Sequence, residues 1–294
     1  MFGRIALVVL FAALATPSFA QEKLKVVATF SILSDLVKNV GGDRVDARTL
    51  VGPNGDAHVY QPSPSDAKTL ADAKVVFVNG LGFEGWMERL IKASGSKAPV
   101  VTATKGVKPR KSDDEHSHGG ADPHAWQSVA NAKIYVANIR DGLSAADPAG
   151  KASYEASAAA YLAQLDALDA EVKAAIDRIP ADRRRIITTH DAFGYFAAAY
   201  GVAFIAPQGV STESEVSARD VAKIITQIRK QRIPAVFLEN VTDDRLLKRI
   251  GAESGARIGG TLYSDALTDE KGEAPTYIDM MRHNVKQLAD ALMG

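Results

Sequence analysis

Three histidines and one aspartate stand in four separate polar loops of this 294-residue chain. His58 lies in Asp-Ala-His, His124 in Asp-Pro-His-Ala-Trp, His190 in Thr-His-Asp and Asp265 in Tyr-Ser-Asp. Imidazole nitrogens and a carboxylate oxygen are the donors with which a borderline metal ion such as Zn²⁺ fills a tetrahedral shell. None of these histidines lies within one helical turn of another, so only a folded scaffold can bring them together. The residues therefore predict a metal site that the tertiary structure assembles.

Short β-branched runs alternate with helical patterns along the chain. Strands are predicted at 24–30, 46–51, 75–79, 99–102, 186–189, 203–206, 235–238 and 257–261. Helices are predicted at 32–40, 64–73, 83–92, beyond Trp126, and at 192–200, 218–231, 243–254 and 276–292. Alternation of this kind indicates right-handed βαβ units on parallel sheets.

One segment, 149–179, has a different character. It is rich in Ala, Leu, Lys, Glu, Gln and Asp, and its larger apolar residues recur near helical spacing. About thirty residues at ~1.5 Å per residue make a rod of roughly 45 Å. We therefore predict an α/β protein of two lobes, each a parallel sheet flanked by helices, joined by one long backbone helix. The lobes are predicted at 21–148 and 180–294, with the linking helix at 149–179.

The four candidate ligands all follow predicted strands. His58 comes after the second strand and His124 after the fourth, whereas His190 follows the first strand of the second set and Asp265 follows its last. In open parallel sheets, ligands bind beyond the carboxyl ends of the strands. Because each predicted lobe supplies two of the four residues, we expect the metal ion in the cleft between the lobes.

Composition narrows the class of protein. Hydrophobic residues make up 46% of the chain and charged residues 24%, as in soluble globular proteins. Basic and acidic residues both number 35, so no net field attracts nucleic acid and none is expected to bind. There is no cysteine, so we expect neither cysteine-ligated zinc nor a lipid-modified N-terminal cysteine. Residues 1–20 combine a charged start, a short apolar run and small residues before Gln21, which predicts a cleaved signal peptide.

Four segments taken together resemble one known family. They are GDAHVYQPSPSD, ADPHAWQSV, TTHDAFGYFAAAYG and LYSDAL. They are similar to segments of the zinc and manganese substrate-binding proteins of bacterial ABC importers, the cluster A-I solute-binding proteins, over essentially the whole mature chain. The resemblance implies a periplasmic protein with two α/β lobes bridged by a rigid helix. It also implies one metal ion held by His58, His124, His190 and Asp265 and delivered to an inner-membrane permease with its ATPase.

The donor set favours zinc as the transported ion. Manganese-type members of the family commonly carry Glu where this chain has His190, and a nitrogen-rich shell suits Zn²⁺ better than Mn²⁺. Mn²⁺ or Fe²⁺ is the alternative. Zinc-specific members often carry a long His/Asp-rich loop before the second ligand, of which only Asp-Asp-Glu-His-Ser-His remains here. His116 and His118 in this loop fit two interpretations equally well: a segment that weakly binds metal ions, or a solvent-exposed disordered loop without a function.

Several residues carry alternative interpretations. Glu239 ends a predicted strand and can either hydrogen-bond a metal-bound imidazole, which we favour, or replace Asp265 as a ligand. Taken singly, His58 also fits a turn residue, His124 a helix start and Asp265 a loop cap.

A zinc hydrolase is the rival class. It is less favoured because catalytic zinc keeps an open position and the sequence holds no HExxH motif. We expect a monomeric binding protein that is not an enzyme, and a periplasmic metal chaperone remains an open partner.

Overall fold

The computed structural model describes residues 22–111, 120–213 and 216–293. Within these ranges eight strands form two sheets. The strands are β1 (Leu24–Phe30), β2 (Val45–Val51), β3 (Val75–Val78), β4 (Val100–Thr102), β5 (Arg185–Ile187), β6 (Ala203–Ile205), β7 (Ala235–Glu239) and β8 (Arg257–Leu262). The α-helices are α1 (Ser31–Gly41), α2 (Pro64–Asp72), α3 (Met87–Ser94), α4 (Val129–Ala146), α5 (Lys151–Asp177), α6 (Gly194–Tyr200), α7 (Ala218–Gln231), α8 (Arg245–Ser254) and α9 (Tyr277–Met293).

The two sheets share one topology. Their strand orders are β2-β1-β3-β4 and β6-β5-β7-β8, and every pair of neighbouring strands is parallel. The predicted fold class, two α/β lobes joined by a long helix, is confirmed. Because all strands of a parallel sheet end at the same edge, the loops after β2, β4, β5 and β8 can meet at one place.

Local sequence signals set some of the helix boundaries. Helix α2 begins with a capping box in which Ser63 and Asp66 bond each other's backbone, and Pro64 occupies its first turn. Helix α3 differs from the prediction, since it begins at Met87 rather than at 83. Gly80, Leu81 and Gly82 all have positive φ, so the chain first makes a turn that a helix cannot continue.

Helix α5 is the predicted linking helix. It is continuous over 27 residues, which corresponds to about 40 Å at ~1.5 Å per residue. It contacts α1, α4 and α9. One face is buried along the whole helix, by residues spaced three or four apart: Tyr154, Ala158, Tyr161, Leu165, Leu168, Val172 and Ile176.

The apolar core does not stop at the boundary between the lobes. One continuous cluster contains Val76 of β3, Leu165 of α5 and Met280 of α9. A smaller cluster lies between the second sheet and helices α7 and α8. Burying apolar surface is the main favourable contribution to folding, so this shared core holds the lobes together as one unit.

Hydrogen bonds reinforce the junction of the lobes. At the start of α9, the backbone N of Tyr277 donates to Asp35 Oδ2 on α1 at 2.9 Å. The Tyr277 hydroxyl donates to the Trp126 carbonyl at 2.7 Å, and Leu267 N donates to Ser31 Oγ at 2.9 Å. The last helix is therefore bonded directly to the first lobe.

Some predictions fall outside the described residues. They are the signal peptide at 1–20 and the loop histidines His116 and His118. Across the ranges that the structure does describe, no helix is long and apolar enough to cross a membrane.

The shared core predicts that the lobes unfold together. Leu165→Ala should lower the free energy of unfolding by about 2–5 kcal/mol, because it leaves a cavity in a fully buried interface. In urea, tryptophan fluorescence reports the first lobe, which holds both tryptophans, Trp86 and Trp126, and far-UV circular dichroism reports the whole chain. The two curves should coincide in the wild type and shift together in the variant. Gln164→Ala, one residue away on the exposed face, should change little. Two separate transitions would contradict the shared core.

Candidate metal centre

The four sequence-predicted ligands converge on one point. One donor atom from each of His58, His124, His190 and Asp265 lies within 4.8 Å of all the others. His58 Nε2 is 3.2 Å from His124 Nε2 and 3.2 Å from Asp265 Oδ2. His190 Nε2 is 3.1 Å from Asp265 Oδ2, and His124 Nε2 is 3.5 Å from Asp265 Oδ1. Two loops from each lobe thus meet in the cleft.

These separations fit a four-coordinate metal ion. Donors at about 2.0–2.1 Å from a tetrahedral centre lie roughly 3.3–3.4 Å from one another, close to the distances observed. Asp265 Oδ1 is buried and has no hydrogen-bond partner within the described structure. A buried acceptor without a donor is costly, and a cation at the centre of the cluster removes that cost.

The loops that carry His58 and His124 share one local hydrogen-bonding pattern. Asp56 Oδ1 accepts the backbone N–H of His58, and Asp122 Oδ1 accepts that of His124, both at 2.9 Å. An aspartate that bonds the backbone two residues on forms an Asx turn, which fixes the direction of the following side chain. Asp122 Oδ1 also lies 2.9 Å from His124 Nδ1, so it holds the ring with Nε2 facing the centre. Asp56 Oδ2 accepts from Thr212 Oγ1 at 2.7 Å, which ties the His58 loop to the opposite lobe.

His190 is held by an acid from the neighbouring strand. Glu239, the last residue of β7, accepts the backbone N–H groups of Thr189 and His190 through Oε1 at 2.7 and 3.0 Å. Its Oε2 lies 2.7 Å from His190 Nδ1. Glu239 therefore stands behind the imidazole, on the side away from Asp265, and it is not among the four converging residues.

The Asp265 loop is anchored across the cleft. The carbonyl of Ser264 accepts from Trp126 Nε1 at 2.9 Å and from Gln127 Nε2 at 2.7 Å. Trp126 also packs its ring 5.3 Å from that of His124. The chain that carries His124 thus holds the chain that carries Asp265, although the two belong to different lobes.

The site is closed to solvent on almost every side. The side chains of His124, His190 and Asp265 are 0% exposed, whereas that of His58 is 5% exposed. The edge of the ring of Phe83 covers His58, with centroids 4.7 Å apart. The partly open side of the site is therefore the one occupied by His58.

Electrostatics in the metal-free cluster favour protons in place of a metal. Burial lowers the pKa of His124, but the carboxylates of Asp265 and Asp122 outweigh it and raise the pKa to about 9. Burial is likewise outweighed at His190, where Glu239 and Asp265 raise the pKa well above its usual value. Burial raises the pKa of Asp265, yet His190 and His124 hold it well below the usual range. Burial dominates at His58 and lowers its pKa. Positive charge is thus stabilised at the centre.

Sequence reasoning named the four converging residues and Glu239, but it missed Asp122 and Asp56. The Asp-Pro pair entered only through the alternative that His124 starts a helix, whereas the chain turns there and α4 begins later, at Val129. The repeated Asp-x-His spacing was the available signal. His116 and His118 lie outside the described residues, so the structure does not locate them relative to the site.

Comparisons with known proteins agree with this geometry. The sequence profile of the zinc-uptake complex component A, periplasmic, matches residues 26–291. The chain is 37% identical to the iron-binding protein YfeA of Yersinia pestis, over 93% of this chain and 88% of that protein. It is 33% identical to the manganese ABC transporter substrate-binding lipoprotein PsaA of Streptococcus pneumoniae, over 93% and 90%. The periplasmic zinc-binding protein TroA of Treponema pallidum superposes with a TM-score of 0.87 at 32% identity, over 92% of this chain and 99% of that one.

These relatives carry different metals in their names, and the one compared by structure, TroA, shares the fold of this chain. The match extends over nearly all of the described residues and over most of each relative. The resemblance predicted from the four motifs is confirmed, and the chain belongs to the family of the periplasmic zinc-uptake complex component A, the metal-binding substrate-binding proteins of ABC importers.

Proposed function

We propose that this protein captures one Zn²⁺ ion in the periplasm and delivers it to an inner-membrane ABC importer, a permease with its ATPase. His58, His124, His190 and Asp265 are the proposed ligands, two from 21–148 and two from 180–294. The observation that carries the proposal is the convergence of three imidazole nitrogens and one carboxylate oxygen in a largely buried cluster. Membership of a family of transporter substrate-binding proteins supports the delivery step.

Binding rather than catalysis is favoured by the donor set. A catalytic zinc ion keeps one position open for water, whereas four protein donors fill a tetrahedral shell. The two acids closest to the imidazoles, Asp122 and Glu239, are already engaged by backbone N–H groups and ring Nδ1 atoms. Neither therefore serves as a base for an attacking water, and we propose no hydrolytic activity.

Release requires separating donors that the two lobes hold together. A long continuous helix and a shared core resist wide domain rotation, so we propose that capture and release proceed by small displacements of the ligand loops. The His58 loop is the candidate for the largest displacement, because its ligand is the only one of the four with exposed surface. Docking on the permease can then loosen the shell without unfolding either lobe.

Zinc is proposed over manganese because nitrogen donors outnumber oxygen donors three to one. Affinity alone does not test this choice, since almost any site of this kind binds Zn²⁺ more tightly than Mn²⁺ or Fe²⁺. Transport is the discriminating property.

Uptake of radioactive zinc and manganese by cells that lack this protein therefore tests the proposal. Restoring the wild-type chain should restore zinc uptake, and restoring His190→Ala should not. Elemental analysis of the protein recovered from the same cells should give one zinc ion per chain. Restored uptake of manganese or iron with no effect on zinc would overturn the metal assignment while leaving the transport role intact.

The affinity for Zn²⁺ should rise with pH up to about 9. Only a neutral imidazole binds the ion, and His124, whose pKa is about 9 in the metal-free protein, carries a proton below that pH. Binding between pH 6.5 and 9 must therefore displace at least this proton, and the dissociation constant should fall about tenfold per pH unit for each proton displaced. Calorimetric titrations in buffers of different ionisation enthalpy measure the protons released. An isolated histidine with an ordinary pKa would give a constant affinity above about pH 7 and no proton release there.

Glu239→Gln should weaken zinc binding about 10- to 100-fold without removing a ligand. The amide cannot serve both as acceptor for two backbone N–H groups and as a negative partner for His190 Nδ1. Competition with a chelating dye measures the change. Glu270→Gln, at an exposed position in the same lobe, is the matched control and should leave the affinity unchanged. Equal affinities for the two variants would show that Glu239 does not support the ligand.

A further inference from the structure

Glu84 is a buried acid that lies outside the four-residue metal cluster. Its hydrogen-bond donors are all neutral: Thr29 Oγ1 at 2.6 Å, Asn79 N at 2.6 Å and Gly80 N at 3.1 Å. Burying a carboxylate without a basic partner is costly even when it is hydrogen-bonded. Apolar packing therefore does not explain why a glutamate stands at position 84.

The carboxylate of Glu84 closes the turn that follows β3. Both of its oxygens reach back to the backbone of the residues at the strand end, Asn79 and Gly80, and Oε1 also receives Thr29 at the end of β1. Gly80 and Leu81 have φ of 87° and 55°, so the turn adopts a left-handed conformation that an L-residue such as Leu81 rarely takes. Glu84 thus holds the adjacent ends of the two central strands of this lobe in a fixed relation.

Asn79 links the end of β3 to the loop that carries His124. Its Nδ2 donates to the carbonyl of Pro123 at 2.9 Å, directly before His124. Its Oδ1 accepts from the hydroxyl of Tyr135 at 2.5 Å, which orients the amide so that Nδ2 faces Pro123. Asn79 is 0% exposed, so no water competes for these bonds.

Phe83, next to Glu84 in the turn, contacts a second ligand, His58. Its ring meets His58 edge-on with centroids 4.7 Å apart, and it lies 6.1 Å from the ring of His124. It also packs against Phe30 and Trp126 at 4.9 Å each. The turn at 79–84 therefore touches both of the ligand histidines of the first lobe without donating a metal ligand itself.

We propose that Glu84 is a positioning residue for the metal centre, which through Asn79 and Phe83 sets the relative placement of His124 and His58. This inference rests on the proposed binding of a metal ion by the four-residue cluster. Its consequence is that the first-lobe half of the shell is built before the ion arrives, so that the ion does not have to order these two imidazoles. Preorganised ligands bind more tightly because less conformational freedom is lost on binding.

A merely structural role for Glu84 would change stability and leave the geometry of the bound ion alone. The d–d absorption spectrum of bound Co²⁺ separates the two roles, because its bands respond to the angles and distances of the donor atoms. Glu84→Gln keeps the shape of the side chain but presents an N–H₂ group where a carboxylate oxygen now accepts a backbone N–H. Glu88→Gln, at an exposed position in the first turn of α3, is the matched control.

The test is Co²⁺ titration followed by displacement with Zn²⁺, at a pH where wild type binds fully. Glu84→Gln should shift the Co²⁺ bands and weaken Zn²⁺ binding about 10- to 100-fold, while Glu88→Gln matches the wild type. A folded Glu84→Gln with the wild-type spectrum and affinity overturns the inference and leaves the proposed function standing. If the wild type itself binds neither ion, the proposed function and this inference both fail.

A second variant covers the case in which Glu84→Gln does not fold. Thr29→Val removes one of the three hydrogen bonds to Glu84 and keeps the carboxylate. It should shift the Co²⁺ bands in a smaller degree and weaken Zn²⁺ binding a few-fold. An unchanged spectrum and affinity in a folded Thr29→Val protein would overturn the inference on its own.

Discussion

A buried carboxylate, Asp265, enclosed by three imidazoles is the constraint on which this structure depends. Among the described residues, the buried acids are Glu84, Asp122, Glu239 and Asp265, and the partly exposed Arg110 places its Nε 3.9 Å from Asp122 Oδ2. Asp265 is surrounded by imidazole nitrogens at 3.1–3.5 Å, and one of its oxygens lacks a hydrogen-bond donor. Charges removed from water need compensation nearby. In the metal-free protein, protons on the histidines compensate the negative charge of Asp265. A divalent cation at the centre of the cluster would compensate this charge more completely.

Two further buried acids, Asp122 and Glu239, each orient one of the ligand histidines. Asp122 and Glu239 each use one oxygen to bond a backbone N–H of a ligand histidine and lie close to the Nδ1 of that ring. The backbone bonds fix where the ring stands, and the Nδ1 contacts fix which nitrogen faces the centre. Similar neighbours on unrelated strands thus give two histidines the same orientation, although one follows β4 and the other follows β5.

The way the lobes are joined limits how the site can open. Ligands come from both lobes, yet a single apolar core crosses the boundary and Ser264 is bonded by Trp126 and Gln127 from the other side. Hydrogen bonds therefore join the His124 loop directly to the Asp265 loop. By contrast, the His58 loop is tied to the opposite lobe near the site by Thr212 and through Asn54, whose N donates to Leu267 O at 2.8 Å. Breaking a few hydrogen bonds that water can replace costs less free energy than separating a packed core. Displacement of the His58 loop therefore requires less free energy than rotation of one lobe against the other.

Much of the fold and the site could be predicted because their signals are local or periodic. Alternating strands and helices gave the lobes, and the polar residues after strand ends gave His58, His124, His190 and Asp265. The start of α3 was misplaced because Gly80, Leu81 and Gly82 have positive φ, and Glu84 bonds the backbone N–H groups of Asn79 and Gly80 in a turn that the helical pattern of the sequence did not indicate. The contact of Asp122 with the His124 ring was not predicted, because only the fold brings that ring against the carboxylate. Glu239 could be placed near the site but its side of the imidazole could not, since that depends on the spacing of β5 and β7.

X-ray absorption at the zinc edge of the loaded protein, combined with a crystal structure of the same sample, tests the central claim most directly. We predict one zinc ion per chain with three imidazole nitrogens and at least one carboxylate oxygen at about 2.0–2.2 Å, contributed by His58, His124, His190 and Asp265. An ion bound elsewhere, or one held at the cleft by fewer than three of these side chains, would contradict it.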